Sequence, residues 1–224
     1  MKFQIESGDI KKTANECLVV GVFENNKLTA TAEKLDKISR GYLQKLCKQG
    51  AIEGKIGQTL LLFNIPNVSA PCVLLVGCGK NTNLQTRDYR KIITCSVRAL
   101  NTAKITKTQL CFTELNVENY AAAWKIKQIV EVSFDALYQF NEYKSGESPK
   151  ISLQQLTVHL TEKNQLKQCE NALKQGLAIA EGVNLTKNLA NQPSNICTPA
   201  YLAAQAQLLA KNHSAIKVKI LEES

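Results

Sequence analysis

The sequence has few of the residues that build most catalytic centres. Its 224 residues include two histidines, His159 and His213, which leaves little for acid–base catalysis. We expect His159 to be a satisfied strand residue and His213 to be solvated in a turn. No G-x-S-x-G nucleophile elbow is present. The eight cysteines lie far apart, with no pair in C-x-x-C spacing, which excludes a structural zinc site of the usual paired ligands.

Long apolar runs are also missing. No run approaches the roughly 18 residues that a membrane span needs, and charge returns too early after Met1 for a signal peptide. With 44% hydrophobic and 21% charged residues, the composition is typical of a globular protein. We therefore expect a soluble, cytoplasmic protein with no membrane partner, whose cysteines are free and inert in a reducing compartment.

Strand-like and helix-like patterns alternate over the first 163 residues. Strands are predicted at residues 3–6, 17–23, 58–65, 71–78, 109–113 and 151–160. Helices are predicted after the threonines at 29 and 31, after Gly41, from Thr86 to about Leu100, and over 118–140, with the threonines as caps. This order predicts an α/β domain with a mixed, largely parallel sheet covered on both faces.

The pattern changes after residue 163. Residues 164–192 are predicted to form one long linker helix that ends before Pro193. Thr198 and Pro199 are typical of a helix start. In residues 215–221 apolar and polar side chains alternate, as in a strand with one face buried. Because one helix and one strand cannot bury their apolar faces unaided, we expect residues 193–224 to be the truncated beginning of a second α/β domain.

Three features are candidates for chemistry. Gly77–Lys80 follows a strand and precedes a helix, where a phosphate could bind, but Asn81 and Thr82 break the known fingerprints, so a tight turn is favoured. Cys197 precedes a helix that could lower its pKa, but without a nearby histidine a packing role is favoured. After Pro193 the acidic residues are Glu222 and Glu223 alone. We therefore expect no catalytic, metal-binding or cofactor-binding residue in this chain.

Positive charge is concentrated around one predicted helix. The net charge is +9. Between Lys80 and Lys107, seven basic residues accompany one acidic residue, Asp88. They are Lys80, Arg87, Arg90, Lys91, Arg98, Lys104 and Lys107. The four on the helix lie opposite its apolar stripe. They could contact the backbone of DNA without reading its sequence, or form the solvated face of an amphipathic helix, which is favoured.

Five segments, in this order and spacing, carry a resemblance that spans essentially the whole chain. They are L-V-V-G-V-F-E from Leu18, A-E-K-L-D-K-I-S-R-G-Y from Ala32, E-G-K-I-G-Q-T-L-L-L from Glu53, P-N-V with V-L-L-V-G-C-G-K from Pro66, and G-L-A-I-A-E-G with N-x-P-x-N-x-C-T-P-A-Y-L-A from Gly176. The chain resembles the cytosol (leucyl) aminopeptidase family of bacteria.

The resemblance implies a macro-like three-layer N-terminal domain, a linker helix and a catalytic domain. Family members form homo-hexamers and remove N-terminal residues, often leucine, from peptides in intracellular protein turnover, using two divalent metals such as zinc or manganese. The family's metal ligands belong to the catalytic domain and match no residue here. The resemblance therefore implies that this chain is the non-catalytic portion, inactive alone and binding no metal. Some members also bind DNA.

ADP-ribose binding is a further alternative, which the implied macro-like fold suggests and the sequence disfavours. The region that would carry it, residues 14–28, lacks the glycine run of true macro domains.

Overall fold

The computed structural model describes residues 1–8, 10, 15–146 and 150–221. The strands are β1 (Lys2–Ser7), β2 (Cys17–Phe23), β3 (Lys27–Leu28), β4 (Thr59–Phe63), β5 (Cys72–Gly77), β6 (Lys107–Leu110) and β7 (Gln155–Leu160). The helices are α1 (Ala30–Ile38), α2 (Tyr42–Lys48), α3 (Thr86–Thr102), α4 (Ala122–Leu137), α5 (Leu166–Ala190) and α6 (Pro199–Asn212). The chain divides into two compact units, Met1–Ala180 and Glu181–Ser224.

One mixed sheet organises the first unit. Its strand order is β1-β7-β6-β2-β5-β4, with β3 paired to β2. The pairs β1–β7, β7–β6, β6–β2 and β2–β5 are parallel, whereas β4 and β3 run antiparallel to their neighbours. The central strand β2 is buried along its whole length, as its unbroken apolar run predicts. The prediction of an α/β fold with a largely parallel sheet is confirmed.

Helices cover both faces of this sheet. Successive strand side chains point to opposite faces: Val19 of β2 packs with α3 and α4, and Leu18 and Val20 pack with α1 and α2. The apolar stripe of α3 is fully buried in the first of these layers, through Tyr89, Ile92, Ile93, Val97 and Leu100. The first turns of α5 join the same layer through Leu166, Cys169 and Leu173. The first unit therefore has three layers.

Several local predictions need correction. Thr29 precedes α1 but its side chain makes no capping bond, and Thr86 is already inside α3, where its hydroxyl donates to Glu118 Oε2 at 2.8 Å. Strand β6 begins at Lys107 and ends at Leu110, not at residues 109 and 113, because the chain turns into a short 3-10 helix at Phe112–Glu114. The helix predicted over 118–140 is α4, which is shorter at both ends.

The second unit bears out one prediction and contradicts another. Helix α6 begins with the predicted cap: the Thr198 hydroxyl accepts from the Tyr201 N–H at 3.3 Å and Pro199 occupies the first turn. The strand predicted at 215–221 is wrong, because these residues have no regular structure. Ile216 and Val218 are each 38% exposed and Leu221 is 80% exposed. Alternation alone does not make a strand when no neighbouring strand supplies backbone partners. Glu222 and Glu223 lie outside the described residues.

The cysteines follow the prediction in part. Six of the eight are buried free thiols, whereas Cys95 and Cys197 are partly exposed. Burial raises the pKa of the Cys78 thiol to about 12 and also raises the pKa of Cys111, so these groups stay protonated and unreactive.

Across the described ranges, no helix combines the length and apolar character needed to cross a bilayer.

Candidate functional site

The glycine-containing turn after β5 is closed by backbone hydrogen bonds. The Cys78 N–H donates to Val22 O at 2.8 Å, and the Gly79 N–H donates to Gly54 O at 2.7 Å. The Gly77 N–H is likewise taken by Gln58 O. A phosphate cradle needs free N–H groups, and these three already have partners. These N–H groups are therefore not available to a phosphate, and the chain continues through bends at residues 80–82 before α3 begins at Thr86.

His159 belongs to β7 of the first unit, whereas Cys197 and His213 flank α6 of the second unit. His159 is buried on β7, where burial and the positive charge of Lys34 lower the pKa of its ring, so it is neutral at physiological pH. Cys197 lies just before α6, and His213 follows the last residue of that helix. Because a helix rises about 1.5 Å per residue, the two ends of this 14-residue helix are too far apart for His213 to act on Cys197.

The predicted basic residues form an exposed stripe. Arg87, Arg90, Lys91 and Arg98 are exposed on the side of α3 away from its buried face. Lys80, Lys104 and Lys107 are also exposed. Lys80 follows the carboxyl end of β5, and Lys107 lies at the amino end of the parallel strand β6. These two residues therefore lie at opposite ends of the parallel strands. The seven residues therefore extend along the whole of α3, which is about 25 Å long at the usual helical rise.

Two basic side chains of the stripe have protein partners. Arg90 Nη1 donates to Gln128 Oε1 at 2.8 Å, which fixes this guanidinium against α4. Arg87 Nε lies 3.8 Å from Asp88 Oδ1. No hydrogen bond or ion pair among the described residues is found for the side chains of Lys91 and Arg98, so their charges are free for an anionic partner.

A cleft at the carboxyl ends of the parallel strands brings together charged residues that the sequence did not single out. Its volume is about 480 Å³, and its lining includes Glu114, Tyr120, Lys125 and Glu162. Strands β2 and β6 are neighbours in the sheet. After β2 the chain continues to α1 on one face of the sheet, and after β6 it continues to α4 on the other face. The cleft lies at this point. Ligands of open α/β sheets bind preferentially at such a switch point.

The carboxylate of Glu114, a residue that follows β6, is hydrogen-bonded to the first turn of α1. Its Oε2 accepts from the Thr31 N–H at 2.9 Å and from the Thr31 hydroxyl at 2.6 Å. A carboxylate in the first turn is favourable because it satisfies a free N–H and the positive end of the helix dipole. Its other oxygen, Oε1, is buried and has no hydrogen-bond partner within the described part of the chain.

Lys125 places an ammonium group in the wall of the same cleft. The residue is 8% exposed, and its Nζ donates to the carbonyl oxygen of Thr113 at 3.0 Å. Among the residues that the structure describes it has no ion pair, and burial lowers its pKa. A lysine ammonium has three N–H donors, so two remain for a ligand.

Tyr120 contributes an aromatic ring to the lining of the cleft. Tyr120 stacks on Trp124 with ring centroids 4.0 Å apart and an interplanar angle of 12°. Tyr120 lines the cleft and is 41% exposed, so the cleft offers an apolar surface beside its charges. The pairing of Glu114 with Thr31 is not visible in the sequence, since it joins residues 83 positions apart, and no local pattern marks Tyr120 as part of the cleft lining.

The described residues provide no metal centre. No group of three or more histidine, cysteine, aspartate or glutamate side chains is gathered in a way that could hold a metal ion within them. The carboxylates that line the cleft are those of Glu114 and Glu162. Such a set does not fit a site for two divalent metals, which needs several converging carboxylates.

Comparison with known proteins gives three concordant findings. The profile of the "Cytosol aminopeptidase family, N-terminal domain" matches residues 19–147. A "Probable cytosol aminopeptidase" of Idiomarina loihiensis is 43% identical over 225 residues, covering 100% of this chain and 45% of the relative. One of Photobacterium profundum is 42% identical over 224 residues with the same coverage. This chain thus spans less than half the length of the curated relatives it matches.

Solved structures share the fold. A mutant of tomato leucine aminopeptidase superimposes with a TM-score of 0.74 at 21% identity, covering 96% of this chain and 43% of that one. The bottromycin maturation enzyme BotP in complex with Mn gives a TM-score of 0.64 at 22% identity, covering 89% and 37% respectively. With the family profile matching more than half of its residues, the chain belongs to the cytosol aminopeptidase family, in the region of that family's N-terminal domain.

Proposed function

We propose that this chain is the N-terminal, non-catalytic portion of a leucyl aminopeptidase that removes N-terminal residues from peptides in the cytoplasm. The observation that carries the proposal is identity above 40% along the whole chain with relatives named as probable cytosol aminopeptidases. Within it, residues 1–163 form the macro-like domain, 164–192 the linker helix and 193–224 the start of the catalytic domain. The complete enzyme is proposed to act as a homo-hexamer.

Two divalent ions, manganese or zinc, are proposed to supply the hydrolytic chemistry of the complete enzyme. The manganese complex of BotP supports metal use among proteins of this fold. The donor sets among the described residues do not fit such ions, so no step of hydrolysis is assigned to a residue of this chain.

An activity assay of the chain alone tests the non-catalytic assignment. The 224-residue protein is incubated with leucine p-nitroanilide and added manganese or zinc. We expect no release of p-nitroaniline above a protein-free blank. Metal-dependent turnover that co-purifies with the chain through successive chromatographic steps would contradict the proposal.

DNA binding by the basic stripe of α3 is the second candidate function. Its support is the exposure of all seven basic residues, together with Lys91 and Arg98 having no partner among the described residues. Interactions of this kind would be with phosphates and would be independent of sequence.

A salt titration tests this second function. We expect duplex DNA to bind at low salt, with an affinity that falls steeply as salt rises. Replacing Arg87, Lys91 and Arg98 with glutamine should reduce the slope of log K against log salt by up to about 3, since each phosphate that is no longer neutralised lowers it by about 1. The control variant replaces Lys45 and Lys48 of α2, which are exposed on the opposite face of the sheet. Equal effects of the two variants would exclude a specific role for α3.

A further inference from the structure

The cleft at the carboxyl ends of the parallel strands combines charges of both signs in one open volume. Lys125 contributes a positive charge from α4, Glu114 contributes a negative charge after β6, and Glu162 contributes a second negative charge at the rim. All of these residues belong to the first compact unit. None of them belongs to the basic stripe of α3.

The buried atoms define what a ligand must offer. Glu114 Oε1 is a buried acceptor without a donor among the described residues, and leaving such an atom unpaired is costly. Lys125 is a buried cation with one neutral hydrogen-bond partner and no ion pair in the described ranges. The matching ligand carries a cationic donor for Glu114 and an anionic acceptor for Lys125.

The start of α4 adds to the anion-binding side. Its N-cap residue is Ala121, which has no side chain that can cap the helix. The Trp124 and Lys125 N–H groups donate to the Ala121 carbonyl oxygen, so the N–H groups of Ala122 and Ala123 are the ones left without a capping side chain. Ala121 and Ala122 both line the cleft. These N–H groups and the Lys125 ammonium therefore favour a carboxylate on the same side of the cleft.

The same charges disfavour other ligand classes. A polyanion such as a nucleoside diphosphate would meet the carboxylates of Glu114 and Glu162 as well as a single lysine. A simple cation would leave Lys125 unpaired. The volume of about 480 Å³ lies in the usual range for small-molecule sites, and the stacked Tyr120 offers an apolar surface for a side chain.

We propose that this cleft binds a free α-amino acid with an apolar side chain, its carboxylate on Lys125 and the start of α4 and its ammonium on Glu114. The proposal does not depend on the proposed function, because every group that it uses lies in the first compact unit.

Trp124 provides a direct readout of binding. It is the single tryptophan of the chain, and it stacks on Tyr120 in the cleft wall. Titration of the 224-residue protein with L-leucine should change its tryptophan fluorescence and release or absorb heat in a calorimeter. N-acetyl-leucine lacks the ammonium and leucinamide lacks the carboxylate, and each should bind at least about tenfold more weakly, as expected for the loss of a charged hydrogen bond.

Two cleft variants and one control complete the test. Glu114→Gln and Lys125→Met should each weaken L-leucine binding roughly tenfold or more. Lys127→Met, two residues further along α4 and outside the cleft lining, should bind as the unaltered protein does. Thermal melts confirm that the variants are folded; should Lys125→Met not fold, Glu114→Gln and the ligand series still decide.

Three results would overturn the proposal. The first is the absence of both signals up to millimolar L-leucine. The second is binding of leucinamide and N-acetyl-leucine as strong as that of leucine. The third is binding of ADP-ribose in the cleft, weakened by Lys125→Met, without any binding of leucine, since this would assign the cleft to a phosphate ligand.

Discussion

Substitution of Gly77 by alanine is predicted to destabilise the first unit strongly. Gly77 ends β5, and the chain at Gly54 and Lys55 crosses directly over it. A Cβ atom built on Gly77 would lie 2.0 Å from the Lys55 carbonyl oxygen and 2.8 Å from the carbonyl carbons of Gly54 and Lys55. All three are backbone atoms, so no side-chain rotation relieves the clash.

The magnitude follows from what must move. The crossing segment is fixed on both sides, because the Gly79 N–H donates to Gly54 O at 2.7 Å and the Gly57 N–H donates to Gly77 O at 3.0 Å. Overpacking costs about 1–3 kcal/mol in typical cores, and displacement of hydrogen-bonded backbone places this site at the upper end, about 3 kcal/mol. For a domain of this size each kcal/mol lowers Tm by about 2–4 °C, so a decrease of about 6–12 °C is expected.

Urea denaturation followed by circular dichroism measures the change. Gly146→Ala is the matched control, because a Cβ at Gly146 meets no atom within 4 Å among the described residues. It should stay within about 0.5 kcal/mol of the unaltered protein. A loss below about 1 kcal/mol for Gly77→Ala, or equal losses for the two variants, would refute the packing described for this crossing.

Three further predictions concern single groups. Glu16 accepts hydrogen bonds from the Thr106 hydroxyl and N–H, which lower its pKa below its ordinary value. The contribution of Glu16 to stability is therefore present above the ordinary pKa and is lost as pH falls through the lower pKa of the folded state. The difference in unfolding free energy between the unaltered protein and Glu16→Gln should thus shrink in acid, and urea titrations that give a pH-independent difference would contradict this. Thr198→Ala should destabilise the start of α6 by about 1 kcal/mol, and unchanged amide exchange there would argue against the cap. Brief labelling with a thiol reagent and mass spectrometry should modify Cys95 and Cys197 before the buried thiols, and equally fast labelling of Cys78 would disprove its protection.

The layers of the fold could be predicted because local patterns specified them. The apolar run of β2 required cover on both faces, and the period of the α3 stripe marked its buried side. Thr198 and Pro199 were sufficient for the start of α6, because this cap forms between neighbours in the chain. Where the deciding interaction is local, the sequence contains it.

The remaining features depend on residues that are distant in the chain. Thr29 has the residue type and position of a cap for α1, but Glu114 takes that role from 83 residues away at Thr31. Glu114 reaches α1, and Lys125 lines the same cleft as Ala30 of that helix, because β6 lies beside β2 in the sheet. Strand order was not deducible from periodicity. The strand predicted at 215–221 was wrong for a similar reason. Apolar and polar residues do alternate there, but a strand also needs a second strand as its hydrogen-bonding partner.

The most direct measurement joins this chain to a catalytic portion. Residues 1–224 replace the matching 45% of the Idiomarina loihiensis relative, and the chimera is assayed with leucine p-nitroanilide and manganese beside the intact relative. We expect manganese-dependent turnover by the chimera of the same order as that of the relative, and none from residues 1–224 alone. A chimera that folds and stays in solution but is inactive, while the relative is active, would contradict the claim that this chain is the N-terminal portion of such an enzyme.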